Sequence, residues 1–188
     1  MYNPAHFREE RPELLREFIR AHPLATLITR GAGGLEANHV PVLLVGDQIL
    51  RGHVARANPV WRDADSQALA VFTGPDHYIS PSWYPSKQEH GRVVPTWNYS
   101  VVHAYGTVEF YTDVERLRAI VDDLTRTHEG QFPEPWSITD APPDYIDGLL
   151  NAIVGFDLRV TRLEGKFKQS QNRPQADRES VRQHLTEG

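Results

Sequence analysis

The 188-residue chain contains no cysteine and a single methionine. The missing thiols exclude disulfides, thiolate metal ligands and a cysteine nucleophile at one stroke. Also absent is any run approaching the roughly 20 apolar residues of a membrane-spanning helix, so no membrane insertion is expected. The opening MYNPAHFREERPELL has neither the basic start nor the apolar stretch of a secretory leader, which makes a cytoplasmic setting the expectation. The nine histidines never fall at the i, i+4 spacing of a helical zinc motif, and HExxH is missing. Gly-x-Ser-x-Gly, a Walker loop and GxGxxG are missing too. No internal repeat or low-complexity segment interrupts the chain.

An excess of positive charge is likewise lacking: 20 lysines and arginines face 25 acids, a net charge of −5. Because non-specific DNA affinity comes from cations that neutralise phosphates, direct DNA binding is doubtful. What positive charge there is lies in two islands. Residues 51–62, RGHVARANPVWR, hold three arginines and a histidine without an acid, and residues 164–175 are also locally basic. Small islands in an acidic chain suit one compact anion better than a long polyanion.

With 39% hydrophobic and 24% charged residues, the composition is that of a globular protein of one domain. Leu14, Leu15, Phe18 and Ile19 share one face of a helix that Pro12 opens and Pro23 closes. From Leu24 the pattern changes to strands: LATLIT, a GAGG turn, Leu35 to Val45, a Gly46-Asp47 turn, then Ile49 to Ala55. ALAVFT at 68–73 reads as a short buried strand, and the proline- and aromatic-rich 74–99 as a long ordered loop. Residues 99–111 alternate as a long strand. Thr112 with Glu115 is a capping-box pattern before a helix near 113–127. A further helix is expected near 142–154, ending around Gly155, followed by a last strand from Phe156 to Leu163. These elements predict a mainly β fold with peripheral helices, a small antiparallel barrel over residues 1–175 with a polar, partly helical C-terminal tail at 176–188.

Four segments carry residues suited to binding. In LRGHVARANP, alternation sends Arg51 and His53 to one face, with Arg56 and Asn58 in the next turn; arginine forks, an imidazole, an amide and free backbone N–H groups can cradle a phosphate. The same residues also suit solvated charge and an ordinary strand histidine. In EANHVPVLL the polar pair Asn38 and His39 interrupts a strand otherwise fit for burial, so it needs partners, unless Asn38 belongs to a bulge and His39 faces solvent. Tyr78, Trp83, Tyr84, Trp97 and Tyr99 crowd around Lys87 and Asn98, as in a stacking platform, a subunit interface or simply an aromatic core. Finally, Lys166, Gln171, Asn172 and Arg173 follow a strand in a donor-rich loop that Pro174 ends.

Together, PAHFRE at 4–9, LEANHVPVLL at 35–44, LRGHVARANP at 50–59, GPDHYISPSWYPSK at 74–87, VVPTWNY at 93–99 and LEGKFKQSQNRP at 163–174 resemble the PaiB-like FMN-binding negative transcriptional regulators. The segments occur in the family's order over nearly the whole chain. The resemblance implies a six-stranded antiparallel split β-barrel related to the pyridoxamine phosphate oxidase fold, a homodimer, and FMN bound in clefts between subunits. It places Arg51, His53, Arg56 and Asn58 around the FMN phosphate. Asn38, His39, Val40 and Pro41 would line the isoalloxazine, continued by Phe72 and Gly74. Lys87, Thr96, Trp97 and Asn98 would contribute near the ring or from the partner subunit, as would Lys166, Gln171 and Arg173. One departure is Thr73, where many relatives carry glutamine before the Gly-Pro pair. The family implies a regulatory or sensing role. Two alternatives are an FMN-dependent oxidoreductase acting on a small molecule, and a haem-binding or haem-degrading split barrel with His39, His53 or His103 near iron.

Overall fold

The computed structural model describes residues 1–63 and 66–187. Seven strands form one antiparallel sheet: β1 (Arg8–Glu9), β2 (Leu24–Gly31), β3 (Gly34–Val45), β4 (Ile49–Ala55), β5 (Gln67–Ile79), β6 (Thr96–Tyr111) and β7 (Ile153–Lys168). Their order is β1-β7-β4-β3-β2-β5-β6, and a further ladder between β6 and β7 closes β2 to β7 into a ring. Alternation explains the filling of that ring. On β4, Leu50, Gly52 and Val54 point inward and are buried, while Ile49, Arg51 and His53 are half-buried on the outside. Leu27, Leu50, Phe72, Val102, Phe156 and Leu158 fill the interior; burying each side chain of this size stabilises the fold by about 1.5–3 kcal/mol.

Helix α1 (Pro12–Ala21) begins on its proline as expected and joins the barrel core through Leu15 and Ile19. After the short helix α2 (Val60–Asp63) and the one-turn helix α3 (Ser86–His90), two longer helices, α4 (Val114–Glu129) and α5 (Pro143–Asn151), follow β6. Leu117, Ile120 and Leu124 of α4 meet Ile146 and Leu150 of α5 in a satellite core that Tyr111, Leu43 and Ile153 connect to the barrel. No helix among the described residues is long and apolar enough to cross a membrane.

Several boundaries differ from the sequence expectation, each for a local reason. The cap of α4 is Asp113, whose side chain accepts from the Arg116 N–H, in place of the Thr112–Glu115 box. Helix α5 stops at Asn151, so Gly155 lies in β7; a Cβ there would sit 2.5 Å from the Tyr111 ring, which is why the strand carries glycine at this point. Strand β5 runs past Gly74 and Pro75 to Ile79 because a shift of register between Thr73 and Asp76 absorbs them. The loop expected over 74–99 therefore shrinks to residues 80–95. At the C-terminus the polar tail, expected to be partly helical, forms helix α6 over Gln175–Glu187. Its Val181 packs with Ile79 and Tyr84, and its buried Asp177 accepts from the Ser86 N–H and hydroxyl at 3.1 and 2.7 Å.

Candidate functional site

The ring is opened between β3 and β4. Strand β4 pairs with β7 along its full length, from Ile49↔Arg159 to Ala55↔Ile153, but with β3 only from Val45↔Ile49 to Val42↔Gly52. Beyond that point β3 stays with β2, Pro41 facing Leu24 and Asn38 facing Leu27. The apex of this split is Gly52, where an added Cβ would lie 2.8 Å from the Pro41 carbonyl oxygen and 2.9 Å from the Phe156 ring. One rim is thus Asn38–Pro41 and the other His53–Ala55. Pro41 lacks an N–H and so asks for no ladder partner there. At the open end Asn58 Nδ2 donates to Asn38 Oδ1 at 2.6 Å, joining the two rims, while Asn58 Oδ1 accepts from the Val60 N–H at 3.0 Å.

The cations of the first island are largely committed inside the fold. Arg51 donates through Nε and a terminal nitrogen to both oxygens of Asp157, each at 2.8 Å. Asp157 also accepts from the Tyr111 hydroxyl at 3.3 Å and from Arg116 at 3.4 Å. Burial alone would raise the Asp157 carboxyl, but the Arg51 hydrogen bonds and charge, with Tyr111 and Arg116, hold it below the usual carboxylate value. Burial and the Asp157 charge push the Tyr111 hydroxyl up to about 12. Arg56 donates to the carbonyls of Asn151 and Ile153 at 2.6 and 3.2 Å, at the end of α5. His53 differs: its Nδ1 is buried without a partner, and burial lowers the imidazole's pKa, favouring the neutral ring.

Of the remaining residues on this side, His39 is exposed on the outer face, with Nδ1 3.1 Å from the Thr26 hydroxyl. The register carries that row across the sheet as His39, Thr26, Val71, His103 and Glu164, all at least partly exposed. Val40 and Phe72 point the other way, into the core. Gly74 lies under α1, where a Cβ would sit 2.9 Å from the Phe18 ring. Thr73 is exposed and faces Val101.

The second basic island lies with the aromatic block, on β6, β7 and the loop after β7. Trp97 is half exposed and meets Tyr78 edge-on at 5.9 Å. Its carbonyl accepts from Lys168 Nζ at 2.7 Å, as does the Thr96 hydroxyl. Asn98 is 2% exposed, and its Oδ1 accepts from the Ser170 hydroxyl at 3.0 Å. Lys166 is buried beside Tyr2 and Tyr99. Gln171 folds back on the Phe167 carbonyl and the Gln169 N–H, Arg173 stacks on Tyr84 at 4.8 Å, and Lys87 stays exposed beside Ser82 at 3.3 Å. Lys168 and Ser170 were missed in the sequence; the signal was there, because Lys168 stands two residues from Lys166 on the same strand face.

A ring of six antiparallel strands opened along one seam is the split β-barrel. A FAD- and haem-binding protein from Mycobacterium smegmatis has this fold over 94% of the present chain and 79% of its own, with a TM-score of 0.64 at 18% identity. Residues 1–162 match the family described as "Putative FMN-binding domain", and the chain belongs to it. FMN, the cofactor expected from the sequence, is the one by which that family is described. The protease synthase and sporulation protein PAI 2 of Bacillus subtilis is 30% identical over 190 residues, 98% of this chain and 89% of the relative. An uncharacterized protein of Aspergillus fumigatus is 34% identical over 232 residues, covering 96% and 89%.

Proposed function

We propose that this chain binds FMN along the β3–β4 split as a homodimer, one flavin per subunit, in a cytoplasmic regulatory or sensing role. The observation that carries the reading is the split itself, whose rims hold Asn38–Pro41 on one side and His53, Arg56 and Asn58 on the other. The orphaned Nδ1 of His53 fits a ligand with acceptor oxygens, since a neutral imidazole has one N–H to give. In this reading Arg56, Asn58 and His53 receive the phosphate, and Asn38 to Pro41 run beside the ring. Arg51, held by Asp157, positions the strand that carries His53. The partly exposed outer row from His39 to His103 supplies the face for a second subunit, and residues 1–175 with α6 act as one unit. When bound, FMN supplies electron transfer at its ring. A net charge of −5 favours regulation through a partner over direct DNA binding.

An absorbance spectrum after adding FMN and desalting, with mass from light scattering, tests this. Flavin bands at one FMN per chain in a dimer are expected; a colourless monomer overturns the reading. Arg56→Ala should weaken FMN binding by about 1.5–3 kcal/mol, the scale of a hydrogen bond to a charged group. Unchanged affinity removes Arg56 from the phosphate. Turnover of an acceptor with NADPH would make the protein an oxidoreductase instead, and a Soret band lost on replacing His39, His53 or His103 would favour haem.

A further inference from the structure

Residues 129–151, from the end of α4 through α5, hold five carboxylates and no lysine, arginine or histidine. Among the ion pairs of the described residues, the only acid of this stretch is Asp147, held by Arg118. Glu134 and Asp144 are exposed. The same stretch leaves large apolar groups in water: Phe132, Trp136, Tyr145 and Leu149 are 53%, 45%, 59% and 47% exposed. Single exposed apolar residues are common, but three aromatics and a leucine together among acids mark a binding surface.

The segment holds these groups in fixed positions. The Phe132 N–H donates to the Glu129 carbonyl oxygen at 2.9 Å and the Trp136 N–H to the Glu129 carboxylate at 3.0 Å, so both residues are tied to the last residue of α4. Ser137 and Asp140 then form a capping box, in which the Asp140 carboxylate accepts from the Ser137 N–H at 2.8 Å. Ile138, inside that turn, is buried in the satellite core with Ile146 and Leu150 of α5. Tyr145 and Leu149 stand one turn apart on a side of α5 that this core leaves uncovered. Prolines at 133, 135, 142 and 143 restrict the backbone between these points, which lowers the ordering cost of binding.

We propose that α5 and the segment before it form a docking surface for a basic, amphipathic helical segment of a partner protein. Rigidly held tryptophan and tyrosine side chains are the usual anchors of such contacts. Apolar groups flanked by unpaired carboxylates match a helix that carries leucine-like side chains on one face and lysine or arginine beside them. The same charge turns away nucleic acids and anionic membranes, whose phosphates would meet Glu134 and Asp144. The arginines of α4 do not offset it, because Arg116 is held by Asp157 and Glu109, Arg118 by Asp147 and Arg126 by Asp122. This surface goes beyond the flavin reading: its side chains lie outside the rims of the split, and it does not need FMN to be present.

The test is titration of the full chain into a labelled helical peptide of repeated Leu-Lys-Lys-Leu units, followed by fluorescence anisotropy, with oligolysine of equal charge as the comparison. Saturable binding of one peptide per chain is expected, with oligolysine bound at least about tenfold more weakly. Trp136→Ser and Leu149→Ser should each weaken peptide binding about tenfold, the scale of a lost anchor. Joint replacement Glu134→Lys and Asp144→Lys should weaken it as well; it leaves the apolar groups in place, so it decides the matter if a serine variant fails to fold. Leu35→Ser, at an exposed apolar residue of the β2–β3 hairpin, leaves binding unchanged. Equal binding of oligolysine, or unchanged affinity in folded variants, overturns the docking surface. Tighter binding of duplex DNA or of phosphatidylserine vesicles, lost in the same variants, overturns it too. If light scattering shows Trp136→Ser and Leu149→Ser dissociating a dimer of the wild-type chain, the face belongs to a second copy and the proposal falls. FMN retention should be the same in all variants; a wild-type chain that never binds FMN sinks the flavin reading and leaves the peptide result standing, so the two fail separately.

Discussion

At the β3–β4 split, Arg51 meets both oxygens of Asp157 and Arg56 meets two carbonyls; at the aromatic end, Lys166, Lys168 and Arg173 meet rings and carbonyls. The two regions are similar in charge and opposite in what the fold does with it. One set of cations is spent on holding strands and a helix end together, and the group left over there is a neutral histidine. The other set has no carboxylate partner among the described residues and is held by rings and carbonyls. A ligand phosphate at the split must therefore work with polar neutral groups and an arginine already in use, whereas the cations at the aromatic end are held by neutral groups alone.

Removing a charge should thus have opposite signs in the two regions. Asp157→Asn should lower stability by about 2–3 kcal/mol in urea unfolding, because Arg51 keeps its charge and loses its partner; its one-quarter exposure moderates the full cost of a buried pair. The pH dependence follows from the same carboxyl. Its folded pKa lies below its unfolded one, so its contribution is complete above about pH 4 and is lost as pH falls through the folded value. The wild-type protein should lose stability in that acid window more steeply than Asp157→Asn, and parallel curves would break the comparison. Next in size, Asn58→Ala should cost about 1–2 kcal/mol, since it removes both the link to Asn38 and the acceptor for the Val60 N–H. Smallest and opposite in sign, Arg173→Gln should raise stability by about 0.3–0.5 kcal/mol at low salt, a gain that about 1 M salt abolishes. A loss in place of that gain would show that stacking on Tyr84 outweighs the repulsion.

The barrel was legible because its signals are local. Gly46-Asp47 and the GAGG turn mark hairpins, Pro12 and Pro23 bracket α1, and alternation on β4 sorts Leu50 and Val54 from Arg51 and His53. Strand β5 was cut short because Gly74-Pro75 reads as a stop, and only a bulge facing β6 lets a strand continue through it. Helix α6 was legible only as a partly helical tail: few of its residues are apolar, and it is held by Val181 and the buried Asp177–Ser86 contact instead of a broad apolar face. At the site, the sequence places Arg51, His53, Arg56 and Asn58 within one short stretch of chain. It could not show that Arg51 is engaged by Asp157, a partner 106 residues away with no local pattern to announce it. Nor could it show that β3 and β4 part company at Gly52, which depends on Phe156 and the Pro41 carbonyl approaching from other strands.

Strand β7 has a consequence for how the molecule comes into being. It is the strand that closes the ring, pairing with β4 on one side and β6 on the other, and it also holds β1 at residues 8 and 9. All three partners are made before it. A nascent chain therefore carries two open sheet edges until residues 153–168 leave the ribosome, and closure must recruit contacts remote in sequence. Folding should be limited by this late, non-local step, and a chain cut before Ile153 would retain exposed edges prone to pairing with other chains.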